Sequence, residues 1–336
     1  SGGSWSQEAK IQASDKQAVD LFGVNVSMSG DGTKVIVGAQ LEDTGSQSNN
    51  GAAYIFAFNS GSWSQEAKIV ASDYQTSDYF GIGVGISGDG TKVVVGAPFE
   101  DTDGSATGSI YIFALSGGSW SQEAKIQAED RQGSDRLGDS VSMSSDGTKV
   151  LASARGEDTG ATDAGAAYVF ALSGGSWSQE AKIQASDAQA DDEFGCSVSM
   201  NSDGTKAIVG ALSEDSGGSL TGSAYIFAFS SAGGGTWSQQ LKIQGSDSQA
   251  ADRFGSSVAM SGDGTKVLVG APFEDTGGSA TGAAYIFEAP VLNALLSSTA
   301  ISADGTTLSF TGQHICVPEG PMSPGLVVSA NKNRYV

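Results

Sequence analysis

Five near-copies of one segment, each of about 57 residues, run through this chain, and no other feature limits its fold as strongly. Tryptophans mark the beat at Trp5, Trp63, Trp120, Trp177 and Trp237. A second beat with the same intervals passes through Phe22-Gly23, Phe80-Gly81, Leu137-Gly138, Phe194-Gly195 and Phe254-Gly255. Repetition at this period means a solenoid, a propeller or an array, because one unit cannot bury its apolar faces alone and must stack on the next. Five similar units also offer five similar surfaces in place of one asymmetric cleft.

The first full copy reads as four strands. Phe22 to Met28 alternates, with Val24, Val26 and Met28 on one side and Asn25 and Ser27 on the other, and forms strand A. Ser29-Gly30-Asp31-Gly32-Thr33 is a tight hairpin turn whose glycines accept positive φ. Strand B, Lys34 to Ala39, is apolar on both faces. A polar loop, Leu41 to Asn50, leads to strand C, Ala52 to Phe58, and a Gly/Ser turn leads to strand D, Trp63 to Ala71. No stretch has a helical apolar period. Middle strands that are apolar on both faces place each small sheet between two neighbours. Antiparallel four-stranded meanders stacked radially make a β-propeller.

Residues 4–13 repeat strand D with no A, B or C before them, and the fifth copy departs at Glu288-Ala289-Pro290 without its own strand D. The chain thus opens inside a repeat, which reads as a processed or partial chain. The expected fold is all-β: a five-bladed β-propeller of four-stranded antiparallel blades over residues 1–289, closed by the N-terminal strand. Closure would remove two aggregation-prone edges. A short C-terminal β appendage, residues 290–336, follows. It holds strand-like runs at 300–312 and 325–330 and opens like a bacterial Ig-like domain, but it is too short to complete a sandwich of about 100 residues.

The phrases Phe80-Gly81 with Gly96-Ala97-Pro98, and Phe254-Gly255 with Gly270-Ala271-Pro272, resemble the FG-GAP repeats of integrin-α-like propellers over roughly residues 1–288. The third copy departs with Leu137-Gly138 and Ser153-Ala154-Arg155, and Gln40 and Leu212 stand where the motif has proline. The resemblance implies an extracellular or cell-surface adhesion role. It also implies calcium loops between strands A and B. Here that connection holds a single acid per copy (Asp31, Asp89, Asp146, Asp203, Asp263), too few for the six to eight oxygens calcium takes. These aspartates read as serving their own turns.

Net charge is −21, with 17 Lys+Arg against 38 Asp+Glu. That repels nucleic acid and anionic membranes, and no apolar run is long enough to span a bilayer. In a meander the B–C and D–A loops share one face, which collects Asp15, Asp20, Glu42 and Asp43 in the first unit and Asp73, Asp78, Glu100 and Asp101 in the second. The series continues through Glu157, Asp158, Asp192, Glu214, Asp215, Asp252, Glu274 and Asp275. This face is the candidate interaction surface. It suits glycans or extracellular proteins, or calcium as a possible ion, although no cofactor is required. The opposite face carries Lys34, Lys92, Lys149, Lys206 and Lys266.

No nucleophile elbow, zinc signature or P-loop is present, and the only imidazole is His314, so an enzyme is not expected. The repeated tryptophans and tyrosines read as inter-blade packing. Two cysteines, Cys196 and Cys316, are candidates for anchoring the appendage by a disulfide within or between subunits. The expected role is structural or adhesive: self-association into a filament or surface array, held partly by the appendage. A multivalent glycan- or protein-binding module is the alternative.

Overall fold

The computed structural model describes residues 4–289 and, further on, residues 299–301, 307–310 and 327–330. It divides into two units at Glu288/Ala289. The first is a five-blade β-propeller. Blade 1 contains β1 (Val26–Met28), β2 (Lys34–Ala39), β3 (Ala52–Asn59) and β4 (Ser62–Ile69). Blade 2 contains β5 (Val84–Ile86), β6 (Lys92–Ala97), β7 (Ser109–Ser116) and β8 (Ser119–Ile126). Blade 3 follows with β9 (Leu137–Met143), β10 (Lys149–Ala154), β11 (Ala166–Ser173) and β12 (Ser176–Ile183). Blade 4 has β13 (Phe194–Met200), β14 (Lys206–Ala211), β15 (Ser223–Ser230) and β16 (Thr236–Ile243). Blade 5 has β17 (Ser257–Met260), β18 (Lys266–Ala271) and β19 (Ala283–Glu288). Strand order within every blade is the order of the chain, and all these pairings are antiparallel.

The core lies between blades. One cluster joins Ile36, Ala53 and Ile55 of blade 1 to Val84, Ile86, Val93 and Tyr111 of blade 2, and matching clusters fill the next three junctions. This is why the middle strands are apolar on both faces: each face belongs to a different junction. The repeated tyrosines Tyr54, Tyr111, Tyr168 and Tyr225 are fully buried, and the phenylalanine of the Phe-Gly pair meets Tyr54, Tyr111 and Tyr225 edge-on, as Phe80 does Tyr111 at 5.5 Å.

Strand A is shorter than expected in blades 1, 2 and 5. Phe80 pairs with Gly51 of the preceding blade in a parallel bridge, and Gly81 adopts φ +101°. The Phe-Gly peptide therefore serves the junction between blades as well as its own blade, where the Gly81 N–H donates to the Gly96 carbonyl at 2.9 Å.

Closure by the first strand is where the structure differs. Residues 4–13 form no strand, and blade 5 ends at β19 with three strands. The segment lies instead against blade 1. Trp63 donates to Glu8 at 3.1 Å and the Ser14 N–H to Gln65 at 2.9 Å, while Ile11 and Ala13 pack on Val35, Tyr54 and Phe56. These repeat the contacts β4 makes with blade 2, where Trp120 donates to Glu66 and the Ser72 N–H to Gln122. The segment thus occupies the place of the outer strand of a preceding blade, but among the described residues no blade is completed by it.

The second unit is described as a three-stranded sheet: β20 (Thr299–Ile301) pairs antiparallel with β21 (Thr307–Phe310), and β21 pairs parallel with β22 (Val327–Ala330). The expected Asp304-Gly305 turn lies outside the described residues.

Candidate functional site: the acidic loop face

The outer strand of each of blades 1 to 4 supplies the centre of the site. A bulge between Ile55 and Phe56 shifts the β3–β4 register so that Lys68 stands opposite Tyr54, and the same shift recurs in blades 2 to 4. Each lysine then bridges two carboxylates from different loops. Lys68 reaches Asp15 at 2.7 Å and Glu42 at 2.5 Å, and Lys125 reaches Asp73 at 2.7 Å and Glu100 at 3.0 Å. Lys182 reaches Asp130 and Glu157 at 2.6 and 2.8 Å, and Lys242 reaches Asp187 and Glu214 at 2.7 and 2.9 Å. The aspartate comes from the loop entering the blade and the glutamate from its own B–C loop. Tyr54, Tyr111 and Tyr168 donate their hydroxyls to three of these aspartates, Asp15, Asp73 and Asp130, and Tyr285 donates to Asp247 at the same position of blade 5.

The glutamates of this set are enclosed. Glu100 is fully buried, accepting from the Thr102 N–H at 2.8 Å, the Thr102 hydroxyl and the Ser109 hydroxyl at 2.8 Å. Burial pushes the Glu100 and Glu214 carboxyls up, but these hydrogen bonds and the lysine outweigh it and hold both below the ordinary range. Asp20, Asp78, Asp135, Asp192 and Asp252 are buried as well. They accept the N–H three residues earlier at 2.5–2.7 Å, closing the loop that enters each blade. Burial, with Glu100, Asp101 and Asp73 nearby, pushes Asp78 up to about 6. Asp135 and Asp192 are pushed up to about 6 by the same causes.

The acids expected on an open negative face therefore divide. Asp20, Glu42, Asp78, Glu100, Glu157, Asp192, Glu214, Asp252 and Glu274 are buried, and what remains on the surface is Asp43, Asp101, Asp158, Asp215 and Asp275, with Asp15 and Asp73 beside the lysines. The lysines themselves were not singled out from sequence. Their signal was the repeated Ser-Gln-Glu-Ala-Lys-Ile phrase, read only as strand. Among the described residues, no three carboxylate, His or Cys side chains converge to hold a metal. The A–B turn aspartates serve their own turns: Asp31 accepts from the Ser29 hydroxyl at 2.7 Å and the Thr33 N–H at 2.9 Å, and these bonds lower its pKa. Cys196 carries no disulfide among the described residues. Its thiol donates to the Gly255 carbonyl at 3.3 Å and is pushed up to about 12 by burial. Cys316 lies outside the described residues. No described helix is long and apolar enough to cross a membrane.

Across junctions, the two glycine motifs meet. A Cβ on Gly38 would stand 2.0 Å from the Gly81 carbonyl oxygen, and one on Gly210 would stand 2.0 Å from that of Gly255. The Gly-Ala-Pro glycine of one blade is thus the seat for the Phe-Gly carbonyl of the next. A search of curated proteins gives no match to the chain. The FG-GAP repeat profile matches residues 5–56, 63–113, 120–170, 177–227 and 237–287, each match running from the outer strand position of one blade through three strands of the next. With five such matches over most of its length and this glycine-to-glycine packing at its junctions, the chain belongs to the FG-GAP repeat family.

Proposed function

We propose that this chain is a non-enzymatic extracellular structural or adhesion protein that self-associates into a surface or fibrous assembly. The observation that carries the reading is the use to which the repeated carboxylates are put. They close loops, bridge lysines and accept tyrosine hydroxyls in four or five near-identical settings. Hydrolytic chemistry needs two acids driven to different pKa values by different surroundings. Here Asp78, Asp135 and Asp192 all stand at about 6, which is the signature of a repeated structural part. FG-GAP repeats are typical of extracellular proteins, in keeping with this role.

The appendage supports assembly by strand addition, since the outer strands of its three-stranded sheet, β20 and β22, each have one edge unpaired among the described residues. Electron microscopy of the undigested protein tests the reading. Ordered fibres or sheets support it, and single particles at every concentration contradict it. Loss of assembly on deleting 290–336 would assign part of the contact to the appendage.

One observation favours a second reading, a multivalent glycan- or protein-binding module with no structural cation. Asp43, Asp101, Asp158, Asp215 and Asp275 recur as exposed acids on one face, a spacing suited to avidity. A glycan screen with and without calcium tests it.

A further inference from the structure

The five copies of the repeat agree closely along strands B, C and D and differ around the Phe-Gly pair, on the loop face. The residue before the pair is Leu21, Tyr79, Arg136, Glu193 or Arg253. The residue after it is Val24, Ile82, Asp139, Cys196 or Ser256. At the third position of Gly-Ala-Pro, blade 3 alone carries a charge, Arg155. Equivalent surroundings hold a structural position to one kind of side chain, so these differences set blades 2 to 4 apart from one another at one place.

That place is continuous. The Arg136 guanidinium lies over the Phe99 ring at 5.2 Å, and Tyr79 meets the same ring edge-on at 5.1 Å. Arg155 stands 2.7 Å from Asp139, whose carboxyl burial pushes up while Arg155 and Arg136 both draw it down. Glu193 is near enough for its charge to push the same carboxyl up. Neutral drift of a surface does not account for the Asp139–Arg155 pair. The Asp139 side chain is only 10 % exposed, and taking both charges out of water is costly where other copies place Val24 or Ile82.

Arg136 is the member of this group without a polar partner. Among the described residues its guanidinium makes no ion pair and no hydrogen bond, and its Nε is buried unpaired. Its backbone is left-handed, at φ +61°, which costs any residue but glycine free energy. The stack on Phe99 fixes the plane of a fork whose donors have no protein acceptor, an arrangement suited to a planar carboxylate.

We propose that Arg136, Tyr79, Phe99 and Glu193 form a binding site for a glycan that carries a single uronic-acid residue. Arg136 takes the carboxylate, the Tyr79 and Phe99 rings take the apolar face of the sugar, and Glu193 accepts from its hydroxyls. Arg155 answers Asp139, which leaves the Arg136 charge to the ligand. A sugar fits better than a peptide end, because it brings hydroxyl donors for Glu193 on the same ring as its carboxylate. The net charge of −21 selects against polymers with a carboxylate on every residue. This inference rests on the glycan-binding reading and gives it one site and one ligand chemistry.

Calorimetric titration of the full chain tests it with two trisaccharides, one holding glucuronate between neutral sugars and one holding glucose in its place. The proposal expects the acidic sugar to bind at least about tenfold more tightly, the worth of one charged hydrogen bond. Arg136→Gly should remove that preference without lowering the melting temperature, because glycine adopts φ +61° freely. A purely structural arginine would give the reverse, a lower melting temperature and an unchanged preference. Arg131→Ala removes an equal charge from an exposed pair with Asp103 and should leave binding as it was. Equal binding of the two sugars, or a preference that survives Arg136→Gly, overturns this site and leaves the glycan-binding reading standing. Binding of neither overturns the site as well, and an empty glycan screen overturns the reading with it. An acetylated tripeptide that binds through its end carboxylate as tightly as the acidic sugar, and is lost in Arg136→Gly, overturns the sugar in favour of a peptide.

Discussion

Gly96 of blade 2 stands so close to Gly138 of blade 3 that a Cβ on it would lie 1.9 Å from the Gly138 carbonyl oxygen. Backbone faces backbone there, and no side-chain rotation can relieve the contact. The Gly-Ala-Pro and Phe-Gly motifs are therefore two halves of one junction, even though they lie far apart in each repeat.

Gly96→Ala must open that junction, and the expected cost is about 1–3 kcal/mol, in the range of overpacked cores. Gly270→Ala, at the same position of blade 5 but with nothing nearer than 3.7 Å, should leave the monomer within about 0.5 kcal/mol of the parent. Urea denaturation of both proteins at a concentration too low for association measures the difference. Equal costs would mean that the glycine is retained for strand conformation alone.

Lys125→Met leaves Glu100 buried with hydroxyl and N–H partners but no cation, its lysine having stood 3.0 Å away. The expected loss is about 2–4 kcal/mol by chemical denaturation, because an uncompensated buried charge costs more than the ion pair gains. Lys92→Met, whose partner Glu123 is partly exposed, should cost about 1 kcal/mol or less. A reversed order would contradict the burial argument.

Stability should peak in mildly acidic solution. Asp78, Asp135 and Asp192 have folded pKa values of about 6, above the ordinary 3.8, so between those values the folded state holds protons that the unfolded chain has released. Stability from these groups therefore falls as pH rises toward 6 and is flat beyond. Glu100, Glu214, Asp15 and Asp130 are lowered, so their contribution is present above the ordinary carboxylate range and lost below it. A higher melting temperature at pH 5 than at pH 7.5, with a fall below pH 4, is the expected profile. Because the net charge of −21 acts in the same direction, the combined variant Asp78→Asn, Asp135→Asn, Asp192→Asn separates the two by reducing the slope between pH 5 and 7.5.

The blades were legible because their signals are local. The Asp-Gly turns, strand B with its two apolar faces, and the period of the tryptophans need no knowledge of neighbours. What the sequence hid was long-range pairing. Asp139 and Arg155 each break the pattern of the third repeat, and only the fold shows that they answer one another as an ion pair at 2.7 Å. Loop acids also look alike on the page, yet Glu100 is buried, accepting from the Thr102 N–H and the Ser109 hydroxyl, while Asp101 beside it is exposed. The first strand misled for a related reason: its sequence fits the fourth place in blade 5, but the packing of the other blades decides whether it can reach there.

Exhaustive chelation with EDTA should leave the melting temperature unchanged, since each loop carboxylate that is buried already has protein donors. A drop of several degrees, restored by calcium, would instead establish a structural cation site on the acidic face.

Cryo-electron microscopy of the undigested protein across a range of concentrations tests the central claim most directly. The account predicts ordered fibres or sheets of propellers that grow as concentration rises. Discrete five-blade particles at all concentrations would contradict it.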